Sequence, residues 1–307
     1  MAHSLAPSTQ ATYRSGWDSY CRFCTGHALP TLPPTDRVLS AFVSHLADRL
    51  VTHGTIQVYL SAIAFHSQLR GHHLVLTSMP LLHCVLRGIR RVQGSRLLRP
   101  PREPITPRHM LHLREHIVRC FCRHDALMLW AAFTSAFFGL LRSSEYCSPS
   151  PTTLSPSTLL RFHLSFTTDR SSAHLFLPMS KTDRFARGAN IPFFTLQSPL
   201  CPVSALWHFA RTRHISHSLP LFTLADGSFL TRDLTANVLR AAFPYQPNVN
   251  THSFRIGGAS ALATAGVPDY VIQVIGRWSS DSFLRYIRTP QDSLHSFQHL
   301  MLGPSPP

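Results

Sequence analysis

A segment rich in arginine and proline divides this chain into two parts. Proline fixes the backbone φ angle and removes an amide donor, so Pro100-Pro101-Arg102-Glu103-Pro104 is expected to be stiff and extended. At 307 residues the chain is long enough for two ordinary cores. We therefore predict one domain over residues 1–93, a linker over 94–104, a second domain over 105–302 and a disordered tail over 303–307.

The first domain shows helical periodicity throughout its length. Apolar residues recur at three- and four-residue intervals, which is typical of helices that bury one face. The first helix is expected to have Thr9 or Ser8 as its N-cap, the third to open after Gly54, and the fourth to cover residues 81–92. The second is expected to bury Val38, Leu39, Phe42 and Leu46. The pattern predicts an all-helical domain.

The second domain combines helices with a few short strands. A helix is expected from Pro107, and the apolar run Ala126–Leu141 predicts a buried helix that ends at Arg142 and is too short to cross a membrane. Alternating residues predict three strands over 160–167, 174–178 and 190–194. Further helices are predicted over 202–213, 231–243, 252–265, 268–275, 281–287 and 294–301. The predicted class is mainly α with a small antiparallel β-sheet (α+β).

The charge of the chain favours a polyanionic partner. Its formal net charge is +15 and its isoelectric point about 10.5, because only 14 acidic residues oppose 29 basic ones. Such a field favours DNA, whose phosphates supply most of the non-specific affinity. Lys181 is the single lysine among these basic residues. A genomic bias toward arginine codons would also produce this composition, so the bias alone does not establish DNA binding.

The cysteines and histidines favour neither disulfides nor a metal site. The seven cysteines have no repeated spacing and no secretory leader precedes them, which indicates a reduced, intracellular protein. Cys21 and Cys24 have no second ligand pair at matching spacing, so they are expected to be ordinary thiols. We expect no metal and no cofactor.

A group of chemically active residues lies near the C-terminus. His-x-x-Arg pairs occur three times where chance gives roughly two, so one pair is a weak signal. His116/Arg119 and His208/Arg211 are interpreted as neighbours on amphipathic helices. The pair His252/Arg255 is followed by Trp278, 23 residues after Arg255, and by Tyr286, eight residues later. Tyr245 and Tyr270 are poorer nucleophile candidates, because one lies in a loop beside a proline and the other on an apolar helix face.

The order of these residues resembles the signature of the tyrosine recombinases, also called phage-type integrases, over nearly the whole chain. That signature is Arg, Lys, His-x-x-Arg, His or Trp, then Tyr, and it falls on Arg142, Lys181, His252, Arg255, Trp278 and Tyr286. Glu145, three residues after the first arginine, also matches. The Gly-Arg-Trp run before the tyrosine most resembles members encoded by eukaryotic mobile elements. The eight-residue spacing from Trp278 to Tyr286 departs from the nine usual in bacterial and phage members.

The resemblance implies cleavage and rejoining of DNA through a 3′-phosphotyrosyl intermediate, without metal or ATP. Tyr286 would be the nucleophile and Lys181 the general acid for the leaving 5′-oxygen. Arg142 and Arg255 would hold the non-bridging oxygens, because a guanidinium is a planar fork that stays charged. His252 would assist proton transfer, and Trp278 would position the site.

The resemblance also implies double-stranded DNA as the partner, self-assembly into a tetramer on DNA, and a helical N-terminal domain that binds the core site. Nuclear residence is a hypothesis from charge and from the mobile-element likeness. The arginines expected to contact DNA lie before and within the linker and in the turn after the second strand; they are Arg87, Arg90, Arg91, Arg96, Arg99, Arg102, Arg184 and Arg187.

Two alternatives remain open at the level of sequence. A catalytically inactive DNA-binding protein derived from a mobile element would tolerate the shortened spacing before Tyr286. A type IB topoisomerase uses a similar set of residues and would relax DNA without pairing two duplexes.

Overall fold

The computed structural model describes residues 5–94, 100–180, 183, 187–212 and 218–287. Contacts divide the chain into two compact units, Met1–Pro100 and Pro101–Pro307. Several predicted features lie outside the described residues: the helix over 294–301, the tail over 303–307, and Arg96, Arg99, Lys181 and Arg184.

The first unit contains four α-helices: α1 (Pro7–Gly26), α2 (Asp36–Asp48), α3 (His53–Gln68) and α4 (Pro80–Gln93). Their apolar faces enclose one core that includes Trp17, Tyr20, Phe42, Leu60 and Leu86. Helix α1 begins at Pro7, ahead of both predicted N-cap residues, because proline suits the first helical position. Helix α3 begins at His53, before Gly54 rather than after it, because the Thr52 hydroxyl caps the helix by accepting from Thr55 N at 3.4 Å.

Two polar side chains fix how these helices pack. The Asp36 carboxylate accepts from the backbone amides of Leu81 and Leu82 at 3.1 and 2.8 Å, which satisfies unpaired donors at the start of α4. At the other end of α4, the Gln93 side chain accepts from His53 N at 2.7 Å and donates to Val51 O at 2.9 Å. The two ends of α4 are therefore tied to different helices, which sets the arrangement of the four-helix unit.

The second unit contains seven helices and three strands in its described part. In chain order these are α5 (Pro107–Cys120), α6 (Arg123–Phe138), α7 (Ser143–Tyr146), β1 (Leu164–Phe166), β2 (Ser172–Leu177), β3 (Ala189–Phe194), α8 (Pro202–Ala210), α9 (Arg232–Ala242), α10 (Ser253–Thr264) and α11 (Asp269–Gly276). A 3-10 segment, Asp281–Arg285, follows α11. This mainly helical unit with a small antiparallel sheet confirms the predicted fold class.

The sheet has the order β1-β2-β3 with antiparallel neighbours. Leu175 pairs with Leu164 on one side and with Ile191 on the other, so all three side chains face the core. The predicted first strand was too long: Arg161–His163 is a 3-10 turn. It forms because the His163 ring accepts from Leu160 N at 3.0 Å, a local bond that competes with strand pairing.

Helix α6 is the centre of the second unit. It is buried on all sides, as its uniformly apolar sequence predicts, and packs against α5, α8 and α10. It ends at Phe138, so Arg142 does not end this helix as predicted but precedes the short helix α7. Leu140 has a positive φ of 46°, and this left-handed turn redirects the chain toward α7. No helix in the described part of the chain has the length and apolar character needed to cross a membrane.

Candidate active site

Arg142 and Glu145 form the first part of the site, at the end of α6. The Glu145 carboxylate accepts from the Arg142 backbone amide at 2.8 Å and from Arg142 Nη1 at 2.9 Å. Its side chain is almost completely buried, whereas that of Arg142 is partly accessible. The Arg-x-x-Glu spacing therefore allows the glutamate to hold both the backbone and the guanidinium of the arginine three residues before it.

The start of α10 supplies His252 and Arg255. The Asn250 side chain accepts from His252 N at 2.9 Å, and the Ser253 hydroxyl accepts from Asn250 N at 3.0 Å. Helix α10 also lies directly against the backbone of Ile105, because a Cβ at Gly257 would lie 1.8 Å from Ile105 O. A Cβ at Gly258 would likewise lie 2.4 Å from Phe137 O, so α10 also packs closely against the end of α6, and these two contacts place His252 and Arg255 at the site.

Arg255 is completely buried. Its Nη1 donates to Leu140 O and its Nη2 to Gly276 O at 2.6 Å. The guanidinium carbon lies 4.0 Å from the centroid of the Trp278 ring, a cation–π contact. Burial lowers the pKa of Arg255 to about 9, and the charges of Arg142 and Arg277 act in the same direction. The group is nevertheless protonated at pH 7, and its side chain joins the end of α6 to the end of α11.

Arg277 belongs to the same cluster, although it is not one of the six predicted catalytic residues. It adopts a left-handed backbone with φ 57° at the end of α11. Its guanidinium donates to Glu145 Oε2 at 3.0 Å and to Gly139 O at 3.0 Å. Glu145 thus pairs with two arginines from opposite ends of the sequence motif. The only sequence signal for Arg277 was its place between Gly276 and Trp278.

Trp278 and Tyr286 complete the cluster. The Trp278 indole folds back over the end of α11, where a Cβ at Gly276 would lie 1.6 Å from Trp278 Cζ3. The 3-10 segment then returns the chain, so that the Tyr286 ring lies 5.1 Å from the Trp278 ring and 5.0 Å from the His252 ring between centroids. The Tyr286 carbonyl accepts from Ser260 Oγ at 3.2 Å. The eight-residue spacing therefore still brings the tyrosine into the site.

The field at the site is strongly positive. Burial lowers the pKa of His252 to about 4, and four arginines add to this effect: Arg102, Arg255, Arg142 and Arg232. His252 is therefore neutral at pH 7, with one ring nitrogen to donate and one to accept. Four guanidinium groups therefore act on a single histidine, and Glu145 pairs with one of them, Arg142, and with Arg277. The arrangement is suited to an anion with several oxygens.

The structure brings together five of the six predicted catalytic residues: Arg142, His252, Arg255, Trp278 and Tyr286. Lys181 lies outside the described residues. Of the predicted DNA contacts, Arg87, Arg90 and Arg91 are exposed on α4, and Arg102 and Arg187 are exposed in the second unit. Arg96, Arg99 and Arg184 are outside the described residues.

The sequence itself matches no family model and no curated protein. The solved structures that are similar to the chain in fold include three complexes with DNA. The Tn1549 transposon integrase in complex with transposon right end DNA superimposes with a TM-score of 0.61 at 15% identity, covering 98% of this chain and 96% of that one. XerH site-specific recombinase, bound to a palindromic difH substrate in a post-cleavage complex, gives 0.58 at 13% identity, covering 88% of this chain and 72% of that one.

The third is a lambda integrase dimer bound to a COC′ core site. It gives a TM-score of 0.56 at 14% identity and covers 93% of this chain and 73% of that one. All three are recombinases or integrases in complex with DNA. The chain therefore has the fold of the tyrosine recombinases.

Proposed function

We propose that this chain is a tyrosine recombinase that cleaves and rejoins double-stranded DNA through a covalent phosphotyrosyl intermediate. The observation that carries the proposal is the convergence of Arg142, His252, Arg255, Trp278 and Tyr286 on one point, from segments up to 144 residues apart in sequence. The similarity of the fold to DNA-bound recombinases and integrases supports the same activity.

In this proposal Tyr286 attacks the scissile phosphorus. A bond forms between the phenolic oxygen and phosphorus while the bond from phosphorus to the 5′-oxygen breaks, which leaves a 3′-phosphotyrosyl link and a free 5′-hydroxyl. The phenolic proton departs as the bond forms, and neutral His252, whose ring lies beside that of Tyr286, has a ring nitrogen that can accept it. Rejoining reverses these bonds and needs neither ATP nor a metal.

The arginines would stabilise the charge that accumulates on the phosphate oxygens. Arg142 has a partly accessible guanidinium held at Glu145, so it can bind an oxygen without losing its support. Arg255 Nε is buried without a hydrogen-bond partner among the described residues. An unsatisfied buried donor costs about 1–3 kcal/mol, and a phosphate oxygen is an acceptor that would satisfy it.

Lys181 is proposed as the general acid on the family resemblance alone. It would protonate the leaving 5′-oxygen, so that one proton leaves Tyr286 and one is delivered to DNA in each cleavage. Lys181→Ala is expected to abolish cleavage of an ordinary 5′-oxygen substrate. A 5′-thio leaving group, which needs no acid, should restore it. A variant that is equally inactive on both substrates would contradict this role.

The test of the proposed function is a nicked suicide duplex of random sequence incubated with the full chain. Wild type is expected to form a protein–DNA adduct that survives boiling in detergent, and Tyr286→Phe none. Tyr270→Phe is the matched control, because Tyr270 lies on α11 near the site but is 69% exposed. It is expected to retain the adduct. DNA binding without an adduct in any variant, also on a nicked duplex that carries the element's own ends, would contradict recombinase activity and support the inactive DNA-binding alternative.

We also propose assembly into a tetramer on DNA, an origin in a eukaryotic mobile element and residence in the nucleus. The tetramer rests on the family resemblance alone, the Gly-Arg-Trp run supports the mobile-element origin, and the net charge of +15 together with that likeness supports nuclear residence. The mass of complexes formed with two target duplexes should correspond to four chains per pair of duplexes. A complex of one chain on one duplex, together with relaxation of supercoiled DNA, would instead support the topoisomerase alternative.

A fluorescent fusion confined to the cytoplasm through the cell cycle would contradict nuclear residence.

A further inference from the structure

A cavity of about 560 Å³ lies next to the Arg142 motif, within the second unit. One wall contains Ser143, the residue that follows Arg142, and another contains the start of α9 at Arg232. Consecutive Cα atoms are about 3.8 Å apart, so this wall begins one residue from a proposed catalytic arginine. The remaining lining combines the apolar surfaces of Cys147, Pro149 and Pro151 with several hydroxyl groups, those of Ser144, Ser148, Ser150, Ser155, Ser157 and Thr231.

Arg232 is held in place at this cavity. Its Nε and Nη2 both donate to the hydroxyl oxygen of Ser143, at 3.2 and 2.7 Å. Ser143 is buried, so the pair anchors the guanidinium while the rest of the Arg232 side chain remains exposed. The charge of Arg232 also reaches His252. The cavity and the candidate active site therefore share one positive field.

The chemistry of the lining suits a phosphate. Serine and threonine hydroxyls donate to phosphate oxygens, a guanidinium pairs with them, and the amide dipoles at the start of an eleven-residue helix add positive potential. Thr231 Oγ1 already accepts from Leu234 N at 3.1 Å as the cap of α9. Asp233 also lines the cavity and opposes an anion there. Removal of its negative charge should therefore strengthen DNA binding, whereas removal of the Arg232 charge should weaken it.

We propose that this cavity binds a backbone phosphate of DNA next to the scissile phosphodiester, with Arg232 as its charged contact. The inference rests on the proposed function, because it assumes that DNA passes over Arg142. It adds a second, non-reacting phosphate site. A phosphate bound at this site would hold the DNA strand in position relative to Arg142, because Arg232 is hydrogen-bonded to Ser143, the residue that follows Arg142.

The test measures affinity for a random-sequence duplex against salt concentration, using the full chain with Tyr286→Phe so that cleavage plays no part. Arg232→Gln is expected to weaken binding and to reduce the slope of log affinity against log salt by about 0.9, the value for one phosphate contact. Asp233→Asn is expected to strengthen binding. Arg240→Gln is the matched control: Arg240 is exposed on the same helix, about 12 Å further along, and bonds only locally to Asn237 at 2.7 Å.

Each outcome decides for or against the subsite. A reduced slope in Arg232→Gln alone, with a wild-type slope in Arg240→Gln, supports it. Equal losses in both variants, or none in Arg232→Gln, overturn it. Arg232→Lys should keep the slope, because it keeps the charge. If Arg232→Gln does not fold, the DNA affinity of Asp233→Asn is the deciding measurement. An affinity equal to that of the unsubstituted chain would then overturn the proposal. Absence of an adduct in the suicide-substrate assay contradicts the proposed function, whereas these binding results do not depend on cleavage.

Discussion

Glu145 connects two arginines of the candidate site, which contact it at 2.9 and 3.0 Å although only one of them is close to it in sequence. It supports Arg142 three residues away and Arg277 from the far end of the second unit. In the sequence, Glu145 was noted only as a match to the recombinase signature three residues after Arg142, and no pairing was predicted from it. The sequence could not indicate the pairing with Arg277, because the contact depends on how α6, α10 and α11 pack.

Loss of the Glu145 charge is predicted to destabilise the second unit. Glu145→Gln removes the partner of two buried guanidinium groups, and breaking a buried ion pair costs about 3–5 kcal/mol. Urea unfolding should show this loss and a parallel loss of cleavage. Glu115→Gln is the control, because the Glu115–Arg119 pair is 68% and 71% exposed and should contribute less than about 1 kcal/mol. Equal effects of the two substitutions would contradict the account.

His252 is predicted to make the protein less stable as pH falls. Its pKa of about 4 in the folded chain lies below the ordinary value of 6.5, so between these values the unfolded chain binds more protons. Stability therefore rises with pH from about 4 to 6.5, by at most about 3 kcal/mol. This prediction is checked by measuring the free energy of unfolding of wild type and His252→Asn by chemical denaturation at several pH values between about 4 and 6.5. The substituted chain should lose less stability on acidification; identical pH profiles would contradict the low pKa.

At the scale of elements, periodicity predicted the helices better than the strands and the final segment. Helix α6 was recognised because an apolar run of that length has few alternatives to burial. The start of β1 was misplaced because the His163 ring stabilises a local turn that no alternating pattern reveals. The segment Asp281–Arg285 was expected to be α-helical but is a 3-10 segment. This 3-10 segment leads directly into Tyr286, which is eight residues after Trp278 and whose ring lies 5.0 Å from that of His252.

The end of α11 is predicted to require a glycine at position 276. Gly276→Ala places a methyl group where the Trp278 indole lies, so the indole must leave its contact with Arg255. Overpacking of this kind costs about 1–3 kcal/mol, and we also expect the loss of the Tyr286 adduct. Gly88→Ala in α4 is the control, because its Cβ would meet open space. Thermal unfolding and the adduct assay measure both effects; a fully active Gly276→Ala would contradict the role of this packing.

For the whole molecule, the positive charge is predicted to control DNA affinity through particular surfaces. Arg87, Arg90 and Arg91 are exposed on one helix, α4, and are expected to contact phosphates. Replacing all three with Gln should reduce the salt slope of binding by about 2.7. The control replaces Arg14, Arg22 and Arg37, which are exposed on α1 and α2, and so removes the same charge elsewhere. Equal effects would show that net charge alone governs binding.

The two-unit organisation could be expected from the Arg- and Pro-rich segment, and the candidate site from the order of six residue types. The sequence did not predict that His252 is neutral, that Arg255 is buried, or that Arg277 belongs to the site. These depend on burial and on charges that meet only after folding. The role of Lys181, which lies outside the described residues, stays a prediction.

The most direct test of the central claim is the identity of the residue joined to DNA and of the DNA end that carries it. A suicide duplex is cleaved by the wild-type chain, the adduct is digested with protease, and the linked peptide is sequenced by mass spectrometry. The account predicts a 3′-phosphate on Tyr286 and a 5′-hydroxyl on the released strand. A link to any other residue, or a 5′-phosphate linkage, would contradict it.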